Sequence, residues 1–509
     1  MGRIYKKIVN FVTMKTILTS LYLLLVLVLL LPTRLNAQKH EFRGAWIQCV
    51  NGQFTGMSTQ RMQQYLTWQL DELQKDGVNA VIFQVRPECD ALYKSSIEPW
   101  SRYLTGRQGQ APDTNWDPLQ WMIGQCHSRG MELHAWINPF RAKTKFTTAL
   151  APNHIAAQHP ERVFSYDGQL ILNPGLKENR DYIIKVALDI VNRYDVDGFH
   201  IDDYFYPYPV AGQTINDEAT YEADRRGFNN IADWRRDNVN IMVKQLGEAI
   251  HQAKPWVKFG VSPFGIYRNK RTAPNVGSNT FGLQNYDDLY ADVLLWVNNG
   301  WIDYCVPQLY WQIGNKAADY ATLIEWWNNH AYNRPLYIGE DVERTVKYAD
   351  LQNPNLNQMP AKYKLHQEMP AVKGTVLWYS KVVADNVGNY GSMLRYNYWK
   401  HPALQPRMPF IDSKAPKKPR KLKVINTADG LVLCWTAPKG KHWGDVAQWY
   451  AVYRFAKGER VKTSDGQHLV TVTHSPFYLL KTNDRNATLV VSAVDRAGNE
   501  SKAKKVSIK

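Results

Sequence analysis

The chain has 509 residues, 44% of them hydrophobic, a formal net charge of +16 and five cysteines. That length exceeds what one compact core organises, so two domains are expected; Cys49, Cys89, Cys126, Cys305 and Cys434 are odd in number and widely scattered, which speaks against a disulfide scaffold or a zinc-type ligand set and for buried apolar residues. The charge is unevenly placed: residues 38–410 carry 38 basic and 38 acidic side chains and residues 411–509 carry 19 and 8, so nothing marks the main domain as a nucleic-acid binder.

In chain order, residues 1–37 combine Arg3, Lys6, Lys7 and Lys15 with the apolar run Leu21–Leu31 and a small-residue end at Ala37. That is the pattern of a secretory signal peptide, its apolar run short for a bilayer span, and it predicts export to the periplasm or the cell exterior. From residue 44 apolar strand patterns alternate with amphipathic helices. "GAWIQ" (44–48) precedes a helix opening at Ser58 and stopping at Gly77; "AVIFQV" (80–85) precedes one with Asp117 as N-cap and Pro118 at its first position. "ELHAWIN" (132–138) follows, then a long helix around residues 181–194 and "GFHID" (198–202). "FGVSPFG" (259–265), "YCVPQLY" (304–310), "PLYIGE" (335–340) and "GTVLWYS" (374–380) complete eight strands. Eight strands separated by helices over about 340 residues predict a (β/α)8 TIM barrel across residues 38–410; a doubly wound sheet is the alternative, but no Gly-rich phosphate loop follows any strand. Residues 402–419, rich in Pro, Lys and Arg, read as a linker. Residues 411–509 read as a small all-β domain through "LVLCWTAP", "WYAVYRFA", "HLVTVT" and "TLVVSAVDRAGNES".

Chemistry in such a barrel belongs at the C-terminal ends of the strands. Strand one ends near Trp46; strand two brings Arg86, Glu88 and Asp90; strand three brings Trp136, Asn138 and Arg141. "DGFHIDDYFYP" (197–207) ends strand four and brings His200, Asp202, Asp203 and Tyr204. Strand six brings Gln308 and Tyr310, strand seven Glu340 and strand eight Trp378. Directional polar groups beside flat aromatic rings suit a sugar, whose hydroxyls need partners and whose C–H face stacks on a ring. Alternation along strand four puts Gly198, His200 and Asp202 on the barrel side and Phe199 and Ile201 on the helix side, with Asp203 turned away or at the rim. No cluster with metal-ligand spacing and no Ser-centred nucleophile elbow is present, so no cofactor and no metal requirement are expected.

"FRGAWI", "QVRPECDALYKSSIEPWSRYLTG", "HSRGMELHAWINPFRA" and "DGFHIDDYFYP" resemble the glycosyl-hydrolase-like family 10, from about Phe42 to about Pro409. The resemblance implies a secreted or lipid-anchored bacterial barrel with glycosidase activity on peptidoglycan glycan strands. "DGFHIDDYFYP" is also similar, more distantly, to the strand-four aspartate ladder of family 18 chitinases; Asp202 falls on the last ladder aspartate and Tyr204 stands where the catalytic glutamate belongs. The closing strands resemble a fibronectin type III sandwich.

The residues therefore predict a glycoside hydrolase in which Asp202 is a nucleophile or charge stabiliser, with Asp203, Asp90 or Glu340 as the second carboxyl. A non-catalytic glycan-binding barrel, to which the Tyr204 departure points, and a hydrolase of dietary or host polysaccharide are the alternatives. The basic C-terminal region, and "KAPKKPRKLK" (414–423) above all, would contact an anionic cell-envelope polymer.

Overall fold

A computed structural model describes residues 38–147 and 149–508. The signal-peptide pattern of residues 1–37 lies outside the described residues. Eight parallel strands close into a barrel: β1 (Phe42–Ile47), β2 (Ala80–Arg86), β3 (Glu132–Ile137), β4 (Gly198–Ile201), β5 (Lys258–Val261), β6 (Tyr304–Cys305), β7 (Leu336–Asp341) and β8 (Val372–Trp378), each paired with its neighbours in chain order and β8 with β1. The (β/α)8 TIM barrel expected from the alternation is the observed fold.

The helices form where the caps predicted them. α1 (Thr59–Lys75) starts at Ser58, whose hydroxyl accepts from the Arg61 N–H, and α2 (Pro118–Ser128) starts at Asp117, which accepts from the Gln120 N–H. Next come α3 (Lys177–Arg193), α4 (Ile231–Ala253), α5 (Val293–Asn298), α6 (Tyr320–Asn328), α7 (Met359–Glu368) and α8 (Ser380–Ala384). Two apolar clusters follow from strand alternation. Phe42, Trp46, Ile82, Tyr304, Tyr337 and Val376 fill the barrel, while Ile47, Phe83, Phe199, Ile201 and Ile338 face the helices. Between β3 and β4 the chain inserts a small antiparallel sheet of Arg141–Lys143, Gln169–Leu172 and Val163–Tyr166 on the side where β3 and β4 end.

Behind the barrel lie two antiparallel sheets. One joins β9 (Arg420–Thr427), β10 (Gly430–Thr436) and β13 (Phe477–Leu479); the other joins β12 (Leu469–Thr473), β11 (Trp449–Ala456), β14 (Ala487–Val494) and β15 (Lys504–Ser507). Leu433, Trp435, Val452 and Val491 form a core between them. The stretch read as a linker does not run free: Leu404 and Met408 are buried, the Leu404 N–H donates to the Lys39 carbonyl, and Met408 joins the barrel's own apolar filling. The sheets meet the end of the barrel where strands begin. Gly130, at φ +73° just before β3, packs so closely on Val472 that any Cβ would strike its carbonyl oxygen. Next to it His127 meets Trp449 edge-on at 5.4 Å, and Arg496 pairs with Asp195 at 2.6 Å.

Candidate active site

The C-terminal mouth of the barrel holds a cavity of about 420 Å3. Its geometry at β4 starts from strand parity. Gly198 lies against the His134 ring, where any larger residue would collide, and His200 points into the barrel, with its Nε2 2.8 Å from Ser262 Oγ and its Nδ1 3.1 Å from Tyr304 Oη. Regular strand stops at Ile201. The chain then leaves the pleat, so Asp202 and Asp203 do not alternate: both line the cavity. That differs from the outward or rim position that uninterrupted alternation predicts for Asp203.

Asp202 is held by polar neighbours drawn from two other strands. Asn138, just beyond β3, donates its amide to Asp202 Oδ2, and its own Oδ1 accepts from Gln84 Nε2 and Arg141 Nη2, each at 2.7 Å. The Tyr204 backbone N–H faces Asp202 Oδ1 at 3.4 Å. Asp203 accepts a hydrogen bond from the Tyr208 hydroxyl. Both carboxyls are pushed above the usual carboxylate range by burial; for Asp202 the neighbouring charge of Asp203 adds to the push, and Arg141 opposes it. Two adjacent buried carboxyls of this kind titrate as a pair and retain a proton to higher pH than a solvated acid does.

Aromatic residues make the walls. Trp46 stands edge-on to Tyr310 at 6.3 Å and to Trp378 at 6.1 Å, and Trp136 stands edge-on to Trp378 at 6.4 Å. Gln308 lies in the wall with its amide donated to the Ser262 carbonyl at 2.9 Å, and Arg141 sits with its guanidinium 5.0 Å from the centre of the Tyr204 ring. Sequence reasoning passed over Gln84, Tyr208, Phe264, Trp311 and Arg344, which line the same cavity. The available signals were the third tyrosine of "YFYPYP", the Phe of "SPFG" and the Trp of "QLYWQ", each within a few residues of a strand end.

Four residues from the same strand ends sit elsewhere. Glu340 falls on the helix side of β7, between barrel-facing Gly339 and Asp341, and there it pairs with Lys362 of α7 at 2.6 Å and accepts from Thr345. Asp90 is fully buried below the loop after β2, accepts from Gln108 Nε2 at 2.9 Å, and is pushed up to about 7 by burial and by Glu88. Arg86 is enclosed: it pairs with Glu98 at 2.7 Å and donates to the carbonyls of Asn138 and Pro139, which fixes the chain after β3. His200 is fully buried beneath the cavity, bonded to Ser262 of its wall; burial and then His134 hold its pKa well below the ordinary histidine value, so the ring is neutral. It belongs to a polar column within the barrel, where Lys258 and His134 meet Glu132 and Tyr304 bridges His134 to His200. Among the described residues, Asp202 and Asp203 are the two carboxylates in the cavity wall.

Residues 41–356 match the family model described as "Glycosyl hydrolase-like 10". The chain is 41% identical over 496 residues to "Glycosyl hydrolase YngK" of Bacillus subtilis (strain 168), covering 95% of this chain and 96% of that protein. It is 36% identical over 333 residues to "Glycosyl hydrolase DigH" of Escherichia coli (strain K12), covering 62% and 75%. Among solved structures, the PgaB (BpsB) glycoside hydrolase domain from Bordetella bronchiseptica aligns at 10% identity and a TM-score of 0.48, covering 70% of this chain and 98% of that one.

Proposed function

The chain belongs to the glycosyl hydrolase-like 10 family and is a glycoside hydrolase, and we propose that its substrate is the N-acetylated glycan strand of peptidoglycan, cleaved with retention and with help from the substrate's own acetamido group. One observation carries this reading: the carboxylates of the cavity wall are sequence neighbours, emerging together from the end of β4. A glycosidase with a protein nucleophile needs two carboxyls facing each other across the bond, about 5 Å apart when retaining. Neighbouring residues approach from one wall, so the opposite face has to be served by something else. A 2-acetamido carbonyl oxygen on the sugar serves it.

The steps then balance within the substrate, one water and the pair. Asp203 gives its proton to the glycosidic oxygen as the C1–O bond breaks, and the acetamido oxygen bonds to C1, forming an oxazolinium ring. Asp202, in the anionic form that the Asn138 amide and Arg141 favour against the burial that raises it, accepts a hydrogen bond from the ring N–H and stabilises its positive charge. Water then attacks C1 as Asp203 removes its proton, the C1–oxygen bond of the ring breaks, and the acetamide is restored. Two inversions give net retention. Protonation and charge stabilisation supply the catalysis, so the reading calls for no metal ion. Part-exposed Tyr310 and Trp378 offer faces for the sugar ring, with buried Trp46 and Trp136 packed behind them.

Purified glycan strands, with and without stem peptides, test the proposal through mass analysis of product ends and NMR of the first-formed anomer. Retained configuration with cleavage beside N-acetylated sugars is expected. Inversion would remove the acetamido step, and intact strands would remove the substrate.

Two further parts of the proposal concern location. Export follows from the pattern of residues 1–37, and N-terminal sequencing of the exported protein should begin after Ala37. Attachment to an anionic envelope polymer is supported by exposed Lys417, Lys418, Lys421 and Lys423, together with Lys504 and Lys505 on β15, which contacts β9. The full chain should bind lipopolysaccharide at low salt and release it by about 0.5 M, because the screening length is already about 10 Å at 0.1 M.

A further inference from the structure

A second cavity, of about 240 Å3, adjoins the one that holds the carboxylates. Arg141, Tyr204 and Tyr208 belong to the walls of both. The remaining wall comes from two segments outside the barrel strands. Asp167, Gln169 and Ile171 come from the small sheet inserted between β3 and β4, and Val210 comes from the loop after the Asp202–Asp203 pair. This cavity lies below the about 300 Å3 at which complete ligand sites begin, the size expected of one compartment in a longer cleft.

Tyr204 is the key residue of the shared wall. It directly follows the two carboxylates, yet it is 41% exposed, an unusual state for a large ring beside a well-packed mouth. Its position is fixed all the same: the Arg141 guanidinium lies 5.0 Å from its centre and the Tyr208 ring 5.5 Å away. A braced, accessible ring between two cavities presents a flat face for stacking. Gln169 has no side-chain hydrogen bond among the described residues, and Asp167 contacts Lys145 loosely at 3.8 Å, so both have capacity left for hydroxyl groups.

We infer that the second cavity is a saccharide subsite that holds the sugar unit next to the one at the carboxylates, with Tyr204 as its stacking face. This rests on the glycan-cleaving reading of the first cavity, and it makes the enzyme one that grips a chain rather than a terminal sugar.

The test measures affinity in the full-length Asp202→Asn protein, using soluble β-1,4-linked N-acetylglucosamine oligomers of increasing length. Affinity should rise with length until both cavities are filled. Val210→Trp, placed to fill the second cavity, should remove that rise, with about a tenfold loss for the longer oligomers. Val210→Ser, which leaves the cavity open, should keep the rise and so controls for folding. Val210 suits the purpose because its side chain is partly exposed and its fixed contact is made by its backbone N–H, 2.9 Å from Tyr166 Oη. Affinity independent of length, a rise that survives Val210→Trp, or no binding at all would overturn the subsite. If length-dependent binding responds to Val210→Trp while the unaltered chain cleaves no glycan, the subsite stands and the proposed hydrolytic substrate falls.

Discussion

In the proposed mechanism Asp202 and Asp203 carry opposite obligations: one must hold charge beside a developing cation, the other must keep a proton until the leaving oxygen takes it. Burial raises both; the Asn138 amide and Arg141 oppose it on Asp202, and Tyr208, Gln308 and Arg141 oppose it on Asp203. Asp202→Asn keeps shape and the Asn138 contact but deletes the charge, so kcat should fall at least about a thousandfold with little change in glycan affinity. Kinetics and titration of the same protein check this, and a loss of only a few-fold would remove Asp202 from its role. The pair also has a stability cost. A carboxyl whose folded pKa lies above its unfolded value of about 3.9 costs stability at every pH above the folded value, and the cost fades as pH falls toward the unfolded value. Asp203→Asn should therefore raise Tm by about 1–3 °C at pH 8, with the gain shrinking toward pH 4, while hydrolysis is lost. Thermal melts across that range decide it.

At the scale of elements, parity along a strand separates chemistry from support. On β7, Tyr337 and Gly339 face the barrel filling, whereas Glu340 faces α7 and pairs with Lys362. Glu340→Gln should leave kcat within about twofold but cost about 3–5 kcal/mol, because Lys362 stays buried without its counter-charge. A collapse of kcat in folded protein would instead place Glu340 in the reaction. Parity was legible from the sequence for β4, where Phe199 and Ile201 announce the helix side. It misled at Asp203 because parity holds only while the pleat lasts, and β4 ends two residues earlier.

At the scale of the whole molecule, the C-terminal sheets close the end of the barrel opposite the site. Asp197, the first residue of the "DGFHIDD" motif, is buried there. It sits 2.7 Å from His127 Nε2, accepts from the Leu133 N–H at 2.9 Å, and lies 3.4 Å from Gln448 Nε2 and 3.5 Å from Arg496 Nη1. Burial opposes charge on both groups, but their attraction prevails: Asp197 is held below the usual carboxylate range and His127 is raised. A raised histidine contributes stability that is complete below its unfolded value of about 6.5 and lost as pH rises through the folded one. His127→Gln should therefore lower Tm most near about pH 6, with the deficit shrinking by about pH 9. A deficit independent of pH would mean that His127 contributes only packing against Trp449 and His474.

What the sequence determined by itself was whatever repeats locally. Eight apolar strand patterns, the caps at Ser58 and Asp117 and the concentration of aromatic and polar residues at strand ends follow from neighbours a few positions apart, and they were enough for the barrel and for the place of Asp202 at its C-terminal mouth. The tertiary structure decided what depends on partners far away in the chain. Asp90, Glu340 and Arg86 occupy the same kind of strand-end position as Trp46 and Arg141, yet Gln108, Lys362 and Glu98 engage them away from the cavity, and their distance in sequence hides that pairing. The stretch at 402–419 reads as a linker because its composition is polar and Pro-rich, but Leu404 and Met408 find apolar surface at the barrel's closed end. Burial is a property of the assembled surface, and a single chain segment cannot state in advance which surface will cover it.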